Sequence, residues 1–213
     1  MARIQESMHG AFRGKVGKLV GGKWNGIDYV RSLGVRTDKP ASEAQLAQQI
    51  KMALTGNFVK SIKKIVKIGF RDAAVKMSGY NAAVQYVLNN AIAGTYPGFT
   101  LDYSRIMISR GQNKGAPASA VSSPAKETCT FTWNAKNIFG DLLKATDKSI
   151  LLVYSEAFDT AVYTLEGPDR STGTGSLELP GFSGQEIHTW LTFVSADRTV
   201  VFDSEYTGKV TVT

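Results

Sequence analysis

Cysteine occurs once in this 213-residue chain and histidine only twice. A lone Cys129 excludes an intrachain disulfide, and its place in the alternation Cys129, Phe131, Trp133 reads as a small core residue rather than a nucleophile. His9, in the N-terminal tail, and His188, in a predicted strand, have no metal-ligand spacing, so neither a metal nor another cofactor is expected. No stretch approaches the roughly 18 consecutive apolar residues of a membrane span. The opening Met1-Ala-Arg-Ile-Gln-Glu-Ser-Met-His carries no apolar leader core. The expectation is a soluble chain made in the cytoplasm without a signal peptide, its final site left open.

Enzyme signatures are equally scarce. Gly17 through Lys23 fits G-x-x-x-x-G-K, but Trp24 stands where Ser or Thr would hold magnesium, and a hairpin rather than a helix follows. Ser183 in Gly-Phe-Ser-Gly lacks the strand-to-helix elbow of a serine nucleophile. Glu156, Asp159 and Glu166 flank predicted strands and read as solvated edge carboxylates rather than an acid–base pair. No enzymatic activity is expected.

Charge, by contrast, is strongly patterned. Residues 1–80 hold 15 Lys/Arg against 5 Asp/Glu, whereas residues 125–213 hold 7 against 12, within an overall charge of +7. One end is basic and the other acidic, which suits either an anionic partner or head-to-tail attraction between copies.

Along the chain, Asn25-Gly26 separates Lys15–Trp24 from Ile27–Leu33 and predicts a β-hairpin, because a type I′ turn needs positive φ at both central residues. The glycines of its first strand, Gly17, Gly21 and Gly22 among them, imply a close approach to another surface. Ser42 with Gln45 resembles a capping box opening a helix marked by Leu46, Ile50 and Leu54, with an interruption expected at Gly56-Asn57. A second helix places Phe58, Ile62, Ile65 and Val66 on one face and Lys60, Lys63, Lys64, Lys67 and Arg71 on another. The third, Tyr80 to Ala93, has no charge, so much of its circumference should be covered. Gly111–Ala125 reads as a loop. Strands are expected near Arg105–Ser109 and at Thr128–Trp133, Ser149–Tyr154, Ala161–Leu165, Gly175–Leu179, Ile187–Val194 and Tyr206–Thr213, about seven in all. The fold class is therefore α+β: an N-terminal β-hairpin plus helical module over residues 1–100, then an immunoglobulin- or fibronectin-III-like antiparallel β-sandwich over 101–213.

The chain resembles an uncharacterised family of bacterial proteins, a domain of unknown function. The likeness rests on Gly14-Lys-Val-Gly, Val20-Gly-Gly-Lys-Trp-Asn-Gly-Ile-Asp-Tyr-Val-Arg-Ser, Ala44-Gln-Leu-Ala-Gln, Tyr80-Asn-Ala-Ala, Gly94-Thr-Tyr-Pro, Ile108-Ser-Arg-Gly and Tyr206-Thr-Gly. It implies that both modules recur as one unit, and it implies no activity.

Three functional expectations stay open. The first is a self-associating structural subunit of a surface, virion-like or tail-like assembly, its basic end meeting the acidic sandwich of another copy. The second is sequence-independent nucleic-acid binding through Lys15, Lys18, Lys23 and Arg31, with Trp24 and Tyr29 stacking, together with Lys60, Lys63, Lys64, Lys67 and Arg71. The third is a carbohydrate- or protein-binding module using the loop Gly167–Gly175.

Overall fold

The computed structural model describes residues 2–3, 12–24, 26–35, 40–111, 119–135 and 144–213, and the chain divides into two units, Met1–Ser42 and Glu43–Thr213. The first unit is an antiparallel sheet of β1 (Ala2–Arg3), β2 (Gly14–Val16), β3 (Leu19–Trp24) and β4 (Ile27–Ser32), in the order β1-β4-β3-β2. Trp24 pairs with Ile27, leaving the two-residue turn that Asn-Gly implies, and Gly26 there has φ +83°. Asn25 lies outside the described residues. The expected first strand, Lys15–Trp24, is in fact two strands. Val16 pairs with Leu19 across a second turn in which Gly17 adopts φ +58°, a conformation costly for any residue with a Cβ.

The second unit begins with α1 (Glu43–Ser61), directly after Ser42, followed by α2 (Lys63–Gly69) and α3 (Gly79–Asn90). The break expected at Gly56-Asn57 does not occur there. The helix runs through Gly56, and the chain bends instead at Ile62, whose φ and ψ of −106° and 21° leave the helical region. Ser78 caps α3 by accepting a hydrogen bond from the Asn81 backbone N–H at 3.2 Å. A short pair, β5 (Ile92–Ala93) and β6 (Thr100–Leu101), leads to a 3₁₀ turn at Tyr103–Arg105.

Seven further strands follow: β7 (Ala120–Ala125), β8 (Thr128–Thr132), β9 (Lys148–Ser155), β10 (Thr160–Thr164), β11 (Thr174–Glu178), β12 (Glu186–Val194) and β13 (Glu205–Thr211). They form two antiparallel sheets, β11-β8-β7 and β10-β9-β12-β13. This is the expected immunoglobulin- or fibronectin-like sandwich, with one strand exchanged. Residues 105–109 are not a strand, and the first sandwich strand lies at Ala120–Ala125, within the stretch expected to be a loop. Its Ser, Pro and Ala composition hides it, and the structure makes it an edge strand with irregular register before Ala125, where Pro124 is tolerated.

Alternation along β9 and β12 organises the rest. Leu151, Val153, Ile187, Leu191 and Phe193 point toward β8 and β11, packing with Cys129, Phe131, Trp133 and Leu177. Ile150, Leu152, Tyr154 and Trp190, the intervening residues, pack with Phe58, Ile62, Ile65 and Val66 of the helices. The four-stranded sheet is thus the middle of three layers, covered by helices on one face and by the second sheet on the other. Each large side chain fully buried there contributes about 2–3 kcal/mol. Because the helices and strands share this core, the chain does not divide near residue 100.

Among the described residues one ion pair is buried, against the rings of the sandwich core. Arg170, 2 % exposed, meets Asp147 at 3.2 Å, lies 3.8 Å from the Phe193 ring centroid, and its backbone carbonyl accepts the Trp133 indole N–H at 2.8 Å. Burial draws the guanidinium pKa down, and Asp147 opposes that shift. Replacing Asp147 by Ala strands a buried cation, so a loss of about 3–5 kcal/mol is expected in urea unfolding.

Candidate functional site

Strand register sorts the basic and aromatic residues of the N-terminal sheet. Lys15 lies beside Val20, which lies beside Arg31, while Gly22 faces Tyr29 and Trp24 faces Ile27. Lys15, Trp24, Tyr29 and Arg31 therefore share one face of the sheet. The Tyr29 ring covers Gly22 so closely that a Cβ there would stand 2.8 Å from it. Lys23 points to the opposite face and pairs with Asp28 at 3.9 Å, and Lys18 occupies the turn between β2 and β3. The G-x-x-x-x-G-K stretch runs through that turn and along β3, so its backbone is committed to the sheet.

In the second unit, Lys60, Lys63, Lys64 and Lys67 are exposed, and none joins an ion pair among the described residues. Arg71 differs from them. Its two terminal nitrogens donate to the carbonyls of Arg198 and Thr199 at 2.7 and 2.5 Å, which ties the end of α2 to the loop after β12. That loop is itself fixed. Asp197 accepts hydrogen bonds from the Ser195 hydroxyl and from Thr199, which hold its carboxyl down to about 2. Arg71 is a clamp within the fold rather than a fifth free cation.

The uncharged α3 is less covered than its composition suggests. Only Ala82, Ala83 and Val87 are buried, while Tyr80, Val84 and Leu88 line one wall of an open groove of about 510 Å³. Met52, 49 % exposed, and Gly56 form the opposite wall on α1. Lys60 extends the row Met52, Gly56 by one more helical turn. A Cβ at Gly56 would meet nothing within 4 Å.

A second opening, of about 360 Å³, is lined by Glu156, Gln185, Glu186, His188 and Lys209, with Lys209 paired to Glu186 at 2.6 Å. Behind it Tyr103 stacks on His188 with ring centroids 4.0 Å apart, and His188 Nδ1 lies 2.8 Å from the Tyr206 hydroxyl. The Tyr154 hydroxyl donates to Asp159 at 2.7 Å. Burial, then the nearby Glu156, pushes the Tyr103 pKa up to about 12, and burial with the Asp159 hydrogen bond raises that of Tyr154. Burial and the charge of Lys209 lower that of His188. This cluster was missed in the sequence because its members come from four separated segments. His9 lies outside the described residues.

Two further expectations are now placed. The loop Gly167–Gly175 carries the buried Arg170, and its backbone is bonded to Ser149, Asp147 and Ala145, so it serves the core. Cys129 is fully buried, which pushes its thiol up to about 12, outside the range of a reactive thiolate. Among the described residues no three His, Cys, Asp or Glu side chains converge as a metal site would require, and no helix is long and apolar enough to cross a membrane.

An α+β chain of two units, a helix-backed β-sandwich and a small glycine-rich sheet, is the class of protein these features define. The chain belongs to the Family of unknown function (DUF6266), whose model matches residues 11–208. Among curated proteins none matches it.

Gly56→Ala should stabilise the protein by about 0.5–1 kcal/mol in urea unfolding, since alanine restricts the unfolded chain and its methyl meets open space. His188 gives a pH prediction. Its folded pKa lies below the ordinary 6.5, so the unfolded chain binds the proton more readily and stability falls as pH drops below 6.5. The slope is at most about 1.4 kcal/mol per pH unit, and His188→Gln should flatten it between about pH 6.5 and 5, read from urea midpoints.

Proposed function

We propose that the chain is a non-enzymatic structural subunit that associates with further copies of itself into a repeated surface, virion-like or tail-like assembly. The observation that carries this reading is the N-terminal sheet. Among its described residues Gly21 alone is buried, while Val16, Leu19 and Trp24 are 60, 47 and 50 % exposed. A four-stranded sheet with so little of its own surface covered gains stability by pairing or packing with another surface. The basic first 80 residues and acidic last 89 give such association a direction.

A second reading, sequence-independent nucleic-acid binding, is favoured by one specific arrangement. Lys15 and Arg31 share a sheet face with Trp24 and Tyr29, which suits a backbone flanked by stacked bases.

Light scattering on the full chain, across protein concentration and at low and high salt, tests the first reading. The expected mass grows with concentration, and a single chain throughout counts against it. For the second reading, anisotropy with a single-stranded oligonucleotide should report affinity falling on the order of fifty-fold between about 50 and 200 mM salt if four cations hold phosphates. Lys15 and Arg31 replaced together by Glu should abolish that binding, and retention removes the sheet face as its site; Lys60, Lys63 and Lys67 replaced by Glu test the helical lysines in the same way.

A further inference from the structure

The turn between β9 and β10 presents an unusual tip. Ser155 pairs with Thr160, so Glu156, Ala157, Phe158 and Asp159 project as a four-residue loop. Phe158 is 48 % exposed, resting edge-on against Phe182 at 5.4 Å, and acidic side chains flank it on both sides. Glu156 joins no ion pair among the described residues. An apolar knob between two carboxylates suits the groove between α1 and α3, where Met52, Gly56, Tyr80, Val84 and Leu88 lie among the uncharged amides Asn81, Gln85 and Asn89, and where Lys60 stands one helical turn beyond Gly56 on α1.

Gly56 sharpens the match. Glycine within a helix is less favourable than alanine, and here neither a positive φ nor a neighbouring atom of the same chain calls for it. What its missing side chain provides is room above the helix backbone, midway along the groove, for something from outside the chain.

We propose that the α1–α3 groove receives the β9–β10 tip of a second copy, Phe158 seating over Gly56 between Met52 and the Val84–Leu88 wall, with Glu156 facing Lys60. The inference rests on the assembly reading and names its contact. Groove and tip are different surfaces, so each copy uses one of each, and the contact is heterologous. Repetition produces a ring where the rotation closes and a filament where it does not.

Gly56→Leu fills the groove, at a half-buried position with open space above it, and Phe158→Ser removes the knob at an exposed one, with folding checked by far-ultraviolet circular dichroism. Light scattering on full-length protein should find wild type growing with concentration and each variant forming distinctly smaller particles at the same concentration. An equimolar mixture of the two variants should exceed either variant alone, because one intact groove and one intact tip remain between them. If wild type stays a single chain, the assembly reading falls and this contact with it. If wild type grows and either variant grows alike, assembly stands and this contact is overturned. A mixture no larger than the variants taken separately overturns it as well.

Discussion

The two-sided burial of β9 and β12 is the constraint on which the second unit depends. A strand in a two-layer sandwich keeps one face dry, and its partner face is free to be polar. Here both faces are dry: Leu151 and Val153 serve the sandwich core while Ile150 and Leu152 serve the helices, all nearly inaccessible to water. A one-residue slip of either strand would exchange the two sets, placing Trp190 where Leu191 belongs, so register is held from both sides. Trp190 ties the layers further, its indole donating to the Ile106 carbonyl at 3.0 Å in the segment that bridges helices and sandwich.

That constraint was partly legible in the sequence. The runs Ser149-Ile-Leu-Leu-Val-Tyr154 and Trp190-Leu-Thr-Phe-Val194 are apolar at odd and even positions alike, the pattern of strands covered on both faces. Read only as strands, they give the sandwich and not the helical layer upon it. Local chemistry was clearest at Gly26, whose φ of +83° meets the backbone need of the turn closed by Trp24 and Ile27. It failed at Gly17, where a second tight turn lacks the Asn that marks the first, and at Ala120–Ala125, where an edge strand needs neither β-branched residues nor alternation. Gly56 failed in the opposite sense, since a 19-residue helix packed by Phe58 and Val59 absorbs the cost of one glycine.

For the candidate surfaces, sequence identified charges but not their commitments. Arg71 and Lys67 look alike on a helical face, yet the planar fork of the arginine reaches two carbonyls 127 and 128 residues away, which no spacing rule anticipates. Arg170 was hidden in a polar loop for the same reason: its counterion, Asp147, and its aromatic lid, Phe193, are set by the closed sandwich. His188 gains its partners only when the turn at Tyr103–Arg105 folds against β12 and β13.

The division of labour between arginine and lysine bears on how any contact between copies must work. Arg71 and Arg170 are fixed by bonds inside the fold, whereas Lys60, Lys63, Lys64 and Lys67 remain on the surface. Exposed lysine–carboxylate pairs contribute about 0–1 kcal/mol each and weaken with salt. In the assembly we propose, such charges would steer copies toward one another and reject the reverse orientation, but they would not hold them. Holding requires apolar area removed from water. Among the described residues, exposed apolar side chains at the N-terminal sheet, the α1–α3 groove and the Phe158 tip supply such area, with Lys15 and Arg31, Lys60, and Glu156 respectively placed to orient an approach.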